Sequence, residues 1–193
     1  MSATKTCVLY YEGFAEFEVV LACLAMAQGE IVAVAPSLDP VTSEEKQRLL
    51  PDMAIAEVDP DDVDLFIVPG GDPTALIEDE TLTGLLKALD RREVPIAAIC
   101  GGTALIAAAG LLDGRECTGG GDSVDDLAEL AAHFSRAIVV DDEDVVIDGH
   151  IITATGRAFV EFAFEIGDLM GVFESEEEAN TQYWWFKNVP DED

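Results

Sequence analysis

Residues 94–105, Val94-Pro95-Ile96-Ala97-Ala98-Ile99-Cys100-Gly101-Gly102-Thr103-Ala104-Leu105, constrain the fold more than any other stretch. An apolar run typical of a buried parallel strand stops at a cysteine set among small residues, then resumes as Ala/Leu/Ile-rich helix. The pattern Ala98-Ile99-Cys100-Gly101-Gly102 reads as a nucleophile elbow. A tight strand-to-helix turn strains its central residue, and only small neighbours tolerate the crowding. Such a turn sets the Cys100 thiol at the amino end of a helix, where unpaired N–H groups and the macrodipole favour a thiolate. The competing reading is a buried structural cysteine, a common fate for a free thiol. The glycine pair and the change of periodicity favour the reactive one.

The rest of the chain must supply a core that holds this turn. Its 193 residues, 49% of them hydrophobic, suffice for one domain. Charge is lopsided: 40 acidic side chains face 10 basic ones, for a formal net charge of -30, and the pI lies near 4.1. A mean hydropathy of +0.22 argues against disorder, so the carboxylates belong on the outside of a globule. They gather at 39–45, 57–64, 122–126, 141–148 and 174–178. Such charges repel at low ionic strength, whereas at roughly molar salt the Debye length falls to about 3 Å and screens them. A halophile with a salt-rich cytoplasm is therefore the expected source. No basic patch is available for nucleic acid or an anionic membrane surface. The four cysteines (Cys7, Cys23, Cys100, Cys117) form no CxxC pair and have no histidine cluster nearby. No metal, no cofactor and no disulfide framework is expected from them. Residues 1–5 carry no signal-peptide apolar region and no run is long enough to span a bilayer, which predicts a cytoplasmic protein with reduced thiols.

In chain order, 6–11 reads as the first strand and 16–28 as a helix, with Gly29 ending it in the left-handed conformation. Residues 31–35 form a second strand. The weakly patterned 37–62 is read as an excursion with a short hairpin around 53–58. The strand at 65–68 runs into Pro69-Gly70-Gly71-Asp72-Pro73, the sort of turn with which an open α/β sheet builds sites. A helix over 81–91 carries Leu82, Leu85, Leu86 and Leu89 on one face. Beyond the elbow helix, the chain breaks between Gly110 and Gly114. A loop at 117–121, an amphipathic helix at 124–134, short strands at 137–140, 145–147 and 151–154, and a long helix at 158–173 follow. This alternation predicts a single α/β domain over 1–173, its parallel sheet covered by helices on both faces. The tail 174–193 is acidic, then aromatic at Tyr183-Trp184-Trp185-Phe186, and packs either on the domain or on a second subunit.

A nucleophilic thiol needs a group to manage its proton and donors for the developing oxyanion. Gly70 and Gly71 after one strand, and Gly101 beyond the nucleophile, offer backbone N–H groups at the same carboxyl edge; equally, these glycines serve simply to permit tight turns. The usual proton partner is histidine, but His133 lies late in an acidic helix and His150 sits in a hairpin remote from that edge. Both read as surface residues. The alternative is a carboxyl, Glu16 or Glu18, after the turn that follows the first strand, with Glu18 facing inward more than Glu16. A buried carboxyl has a raised pKa and can donate a hydrogen bond to a thiolate; an exposed glutamate would only favour the helix amino terminus.

These residues together resemble the ThiJ/PfpI family of the class I glutamine amidotransferase-like superfamily, at GFAEFE (13–18), VPGGDPT (68–74), PIAAICGGTALIAAAGLLDGRECT (95–118) and IITATGRAFVEFAFEI (151–166). The resemblance implies a flavodoxin-like doubly wound sheet, usually a homodimer, with Cys100 as nucleophile and Glu18 hydrogen-bonded to it. The backbone amides of Gly71 and Gly101 match the oxyanion donors, and Gly70, Gly119 and Gly120 fall around the pocket. One departure matters. Family proteases carry a histidine after the cysteine or beyond the elbow helix, where this chain has Gly101 and Thr118-Gly119-Gly120-Gly121. Peptidase activity is therefore not expected, and the His-x-Glu element of glutamine amidotransferases is also missing. The expected function is a small-molecule hydrolase, hydratase or lyase, acting on dicarbonyls or isocyanides. The alternatives are a redox-sensing, stress-protective protein whose Cys100 is oxidised, and a fold that has lost its chemistry.

Overall fold

The computed structural model describes residues 4–119 and 128–187. Its centre is a seven-stranded sheet ordered β10-β11-β7-β6-β1-β2-β5. The strands are β1 (Lys5–Leu9), β2 (Glu30–Ala35), β5 (Met53–Ala54), β6 (Leu65–Val68), β7 (Ile96–Ile99), β10 (Val145–Asp148) and β11 (Ile151–Ala154). All neighbours pair in parallel except the β10–β11 hairpin. The runs LFIV, IAAI and IITA of β6, β7 and β11 are buried throughout. That is the signature of strands covered on both faces.

The covering helices are α1 (Phe17–Ala25), α2 (Glu80–Asp90), α3 (Gly102–Ala108) and α5 (Phe159–Leu169). α1 packs against α5, and α2 against α3. α2 begins at Asp79, whose side chain accepts a hydrogen bond from the Leu82 N–H, and buries Leu82, Leu85, Leu86 and Leu89. The chain winds from β1 to β2 on one side and then returns to β6 on the other. The strand order thus reverses beside β1, the point where an open α/β sheet leaves a crevice at the carboxyl ends of its strands.

Several local expectations are corrected. The hairpin of the 37–62 excursion is β3 (Val41–Thr42) with β4 (Arg48–Leu49), turning at Lys46 with φ 70°, whereas Met53–Ala54 joins the main sheet as its edge strand and Ile55–Glu57 is a 3-10 turn. Gly29 is not left-handed. A side chain there would collide with the Thr4 carbonyl, so close approach is what demands glycine. The helix expected over 158–173 stops at Leu169. Gly171, at φ 65°, places its N–H on Asp168 O and that of Val172 on Gly167 O at 2.9 Å, a Schellman motif. Cys117, expected in a loop, belongs to β8 (Glu116–Cys117), which pairs with β9 (Ile138–Val139). Of the amphipathic helix expected over 124–134, residues 124–127 lie outside the described residues; Ala128–Ala131 is α4 and Ala132–Phe134 a 3-10 turn.

The aromatic segment forms α6 (Glu176–Lys187). Tyr183 and Phe186 pack edge-on against Phe164 of α5, while Tyr183 Oη and Lys187 Nζ both donate to Glu161. Trp185 remains 76% exposed. No helix among the described residues is long and apolar enough to cross a membrane.

Candidate active site

Four adjacent strands, β1, β6, β7 and β11, deliver their following turns to one place. Cys100 follows β7 with φ 54°, a left-handed backbone that a residue bearing a Cβ adopts only when its surroundings enforce it. Here its N–H donates to Ala154 O at 2.9 Å. Its own carbonyl accepts from Thr103 Oγ1 at 2.7 Å and Thr103 N at 3.1 Å. Gly102 allows the turn because a side chain there would collide with the Pro69 carbonyl. The strain identifies a true elbow.

Glu18, two residues into α1, is 2% exposed. Its Oε2 accepts the Gly70 N–H at 2.8 Å, and its carboxyl is hydrogen-bonded to the Cys100 side chain. Burial raises its pKa to about 7; the hydrogen bonds to Gly70 and Cys100 pull it down, and the like charges of Glu44 and Glu45 push it up again. Near neutrality the carboxyl is therefore poised between holding and releasing a proton.

Gly70 is wedged between the two. A Cβ there would collide with Glu18 Oε2 and stand 2.7 Å from Cys100 Cβ. Gly71, at φ 102°, leaves no room for a side chain against Gly13 O and Phe14 Cα, and it bridges to Phe14. A Cβ on Gly101 would collide with Gly71 O, so the turns after β6 and β7 abut.

The other candidates separate. Gly119 has the Val139 side chain 3.5 Å from its Cβ position, and Gly120 lies outside the described residues. Glu16 is half-buried beside Glu45, which accepts its N–H. His133 is half-buried in the 132–134 turn. His150 is not a free surface group. At the amino end of β11, its Nε2 lies 2.9 Å from Asp90 Oδ1. His150 O accepts the Ile96 N–H at the start of β7, whereas Cys100 follows the end of that strand.

Two contributors escaped sequence reasoning. Gly156, after β11, walls the thiol: a Cβ there would stand 2.8 Å from Glu18 Oε1 and 3.1 Å from Cys100 Sγ. The readable signal was a glycine closing the Ile151–Ala154 strand. Tyr11, after β1, donates its buried hydroxyl to Pro69 O at 3.0 Å and Gly70 O at 2.7 Å. Nothing local announced it.

Comparison with known proteins is consistent with this geometry. Protein DJ-1alpha of Drosophila melanogaster is 28% identical over 193 residues, covering 96% of this chain and 86% of its own. Deglycase TK1284 of Thermococcus kodakarensis is 26% identical over 153 residues, 78% of this chain and 89% of its own. The crystal structure of Drosophila melanogaster DJ-1beta superposes with a TM-score of 0.81 at 25% identity, covering 98% of this chain and all of that one. The sequence profile of the DJ-1/PfpI family matches residues 4–169, and the chain belongs to that family.

Proposed function

We propose that this protein is a cysteine-dependent enzyme acting on small electrophilic carbonyl compounds, reactive dicarbonyls first among them, with Cys100 as nucleophile and Glu18 as proton carrier. The observation that carries this reading is the hydrogen-bonded Glu18–Cys100 pair, in which the buried carboxyl has a pKa of about 7. An acid so tuned donates and accepts a proton with equal ease at physiological pH. Likeness to a protein named as a deglycase supports the choice of substrate class.

In the step we envisage, an electron pair on Sγ attacks the carbonyl carbon and forms an S–C bond. The C=O π pair moves to oxygen, and the proton held by the pair passes from Glu18 to that oxygen, leaving a hemithioacetal. The N–H groups of Gly71 and Gly101 face the developing charge, and one such donor is typically worth about 10²–10³ in rate. Methylglyoxal consumption in roughly molar salt tests this. It should vanish in Cys100→Ser, and its survival there would refute the proposal.

The redox reading has one observation of its own. Burial raises the Cys7 and Cys117 thiols to about 11, which leaves them poor targets for peroxide. Selective oxidation of Cys100, without turnover of any dicarbonyl or isocyanide, would favour a sensor or stress-protective role over an enzyme. The net charge of -30 supports a salt-rich cytoplasm as the working medium. A homodimer is supported by Phe17, Val20 and Leu24, which line α1 at 46%, 49% and 58% exposure. Light scattering in high salt should give twice the 20.6 kDa chain mass.

A further inference from the structure

We propose that Tyr11 is a positioning residue that fixes two peptide planes at once: the one that anchors Glu18 and the one that aims the Gly71 N–H. This rests on the thiol-enzyme reading above and deepens it.

A trans peptide is planar, with its C=O and N–H pointing opposite ways, so holding the oxygen fixes the hydrogen. Pro69 O and Gly70 N belong to one such unit. Tyr11 Oη donates to its oxygen at 3.0 Å and Glu18 Oε2 accepts from its nitrogen at 2.8 Å. Gly70 O and Gly71 N form the next unit, whose oxygen takes the same hydroxyl at 2.7 Å and the Ala15 N–H at 3.0 Å. The hydrogen of that second unit is the oxyanion donor assigned to Gly71. Two successive glycines leave this turn with more backbone freedom than any other pair, so hydrogen bonds must supply the order. Glycine is unavoidable here, since a side chain on Gly70 would collide with Glu18 and Cys100, and one on Gly71 with the backbone of residues 13–15. The freedom is therefore imposed by close approach and restrained by the tyrosine.

Tyr11 suits this task. It is 2% exposed at the end of β1, and its ring spans to the end of β6. Burial first, then the neighbouring charges of Glu18, Cys100, Asp72 and Glu44, hold its proton in place well above the usual phenol range. It is a donor at every working pH.

The test reads the pH profile of Cys100 alkylation by iodoacetamide in high salt. Its midpoint belongs to the Glu18–Cys100 pair, which feels Glu44 and Glu45 from the β3–β4 hairpin and the Gly70 N–H from the β6 turn. Tyr11→Phe keeps the ring but takes the hydroxyl from both peptides, leaving the first held by Glu18 and the second by the Ala15 N–H. The weakened Gly70 donor should move the midpoint upward by about half a unit or more. Loss of aim at Gly71 should lower kcat for methylglyoxal about tenfold or more while KM stays within about twofold. A wild-type midpoint together with a wild-type kcat would overturn the proposal. If the wild-type protein consumes no methylglyoxal, the enzyme reading fails and the alkylation arm alone decides the role of Tyr11. Should Tyr11→Phe not fold, 3-fluorotyrosine at position 11 keeps the hydroxyl as a stronger donor. The midpoint should then move downward, and an unmoved one would count against the proposal.

Discussion

The two ends of strands β7 and β11 each hold a carboxyl beside a group that can exchange a proton, yet they are different chemical places. At the amino end, Asp90 Oδ1 accepts from Arg115 Nη1 and pairs with His150 Nε2, both at 2.9 Å, with side chains between 16% and 27% exposed. A permanent cation and water share that charge. At the carboxyl end, Glu18 is 2% exposed, and the charged carboxyls acting on it, Glu44 and Glu45, share its own sign. Counter-charge and access to water set the proton affinity, not residue type. Asp90 closes an ion pair; Glu18 shares a hydrogen bond with the Cys100 side chain. A carboxyl moved to about 7 occupies the range in which imidazole usually works, which is what the proposed function asks of Glu18.

The comparison breaks most completely if the carboxyl end is overfilled. Gly70→Ala inserts a methyl between Glu18 Oε2 and Cys100 Cβ. The displacement should slow Cys100 alkylation by about a hundredfold, and the overpacking should remove about 3 kcal/mol of stability. Near-normal reactivity in a folded Gly70→Ala protein would show that the pair does not depend on this fit.

Glu18→Gln makes the same comparison quantitative. The folded pKa of about 7 lies above the ordinary value of 4.5, so the native state holds this proton more tightly than the unfolded chain does. The resulting stabilisation is fully present below about pH 4.5 and is lost as pH rises through 7; the shift is worth roughly 3 kcal/mol. Glutamine cannot ionise. The unfolding free energy of wild type minus that of Glu18→Gln should therefore fall by roughly 3 kcal/mol between pH 4.5 and pH 8, measured in one high-salt buffer series. A flat difference would mean that Glu18 ionises as readily in the folded protein as in the unfolded chain. Salt acts on the surface instead: melting temperature should climb from low to roughly molar salt, as the Debye length shrinks to about 3 Å. A melting temperature indifferent to salt would remove the case for a salt-rich interior.

How far the sequence revealed this molecule depends on how local each cause is. Runs such as LFIV and IAAI carry their own burial pattern, and the Cys100 elbow announces its strain through neighbouring glycines, so the parallel α/β fold and the thiol were readable. Glu18 was readable less directly, through its apolar surroundings and the GFAEFE resemblance. Gly29 and Gly171 show the limit. Gly29 reads as a left-handed helix stop and Gly171 as the interior of a helix running to 173, yet only Gly171 turns left-handed, while Gly29 answers to the Thr4 carbonyl beside it in space. The two-residue strands β3 and β4 are too short to show any period, which is why the hairpin was misplaced. Tyr11 reads as one more residue of a β-rich run. Its partners lie 58 and 59 positions away, and no window of sequence contains them together.

The smallest effect belongs to the amino end, and its smallness is the point. His150→Gln keeps a donor near Asp90, and Arg115 remains in place. The partly exposed pair should cost at most about 1 kcal/mol, a drop of about 2–4 °C in melting temperature for a chain of this size. The midpoint of Cys100 alkylation should not move. His150 O bonds to the Ile96 N–H at the start of β7, whereas Cys100 follows its end. Four residues of strand separate them, on the order of 13 Å. Solvent-borne interactions over that span exceed several Debye lengths in molar salt. A shifted midpoint would therefore require coupling through the sheet itself, and would turn two independent carboxyls into one linked system.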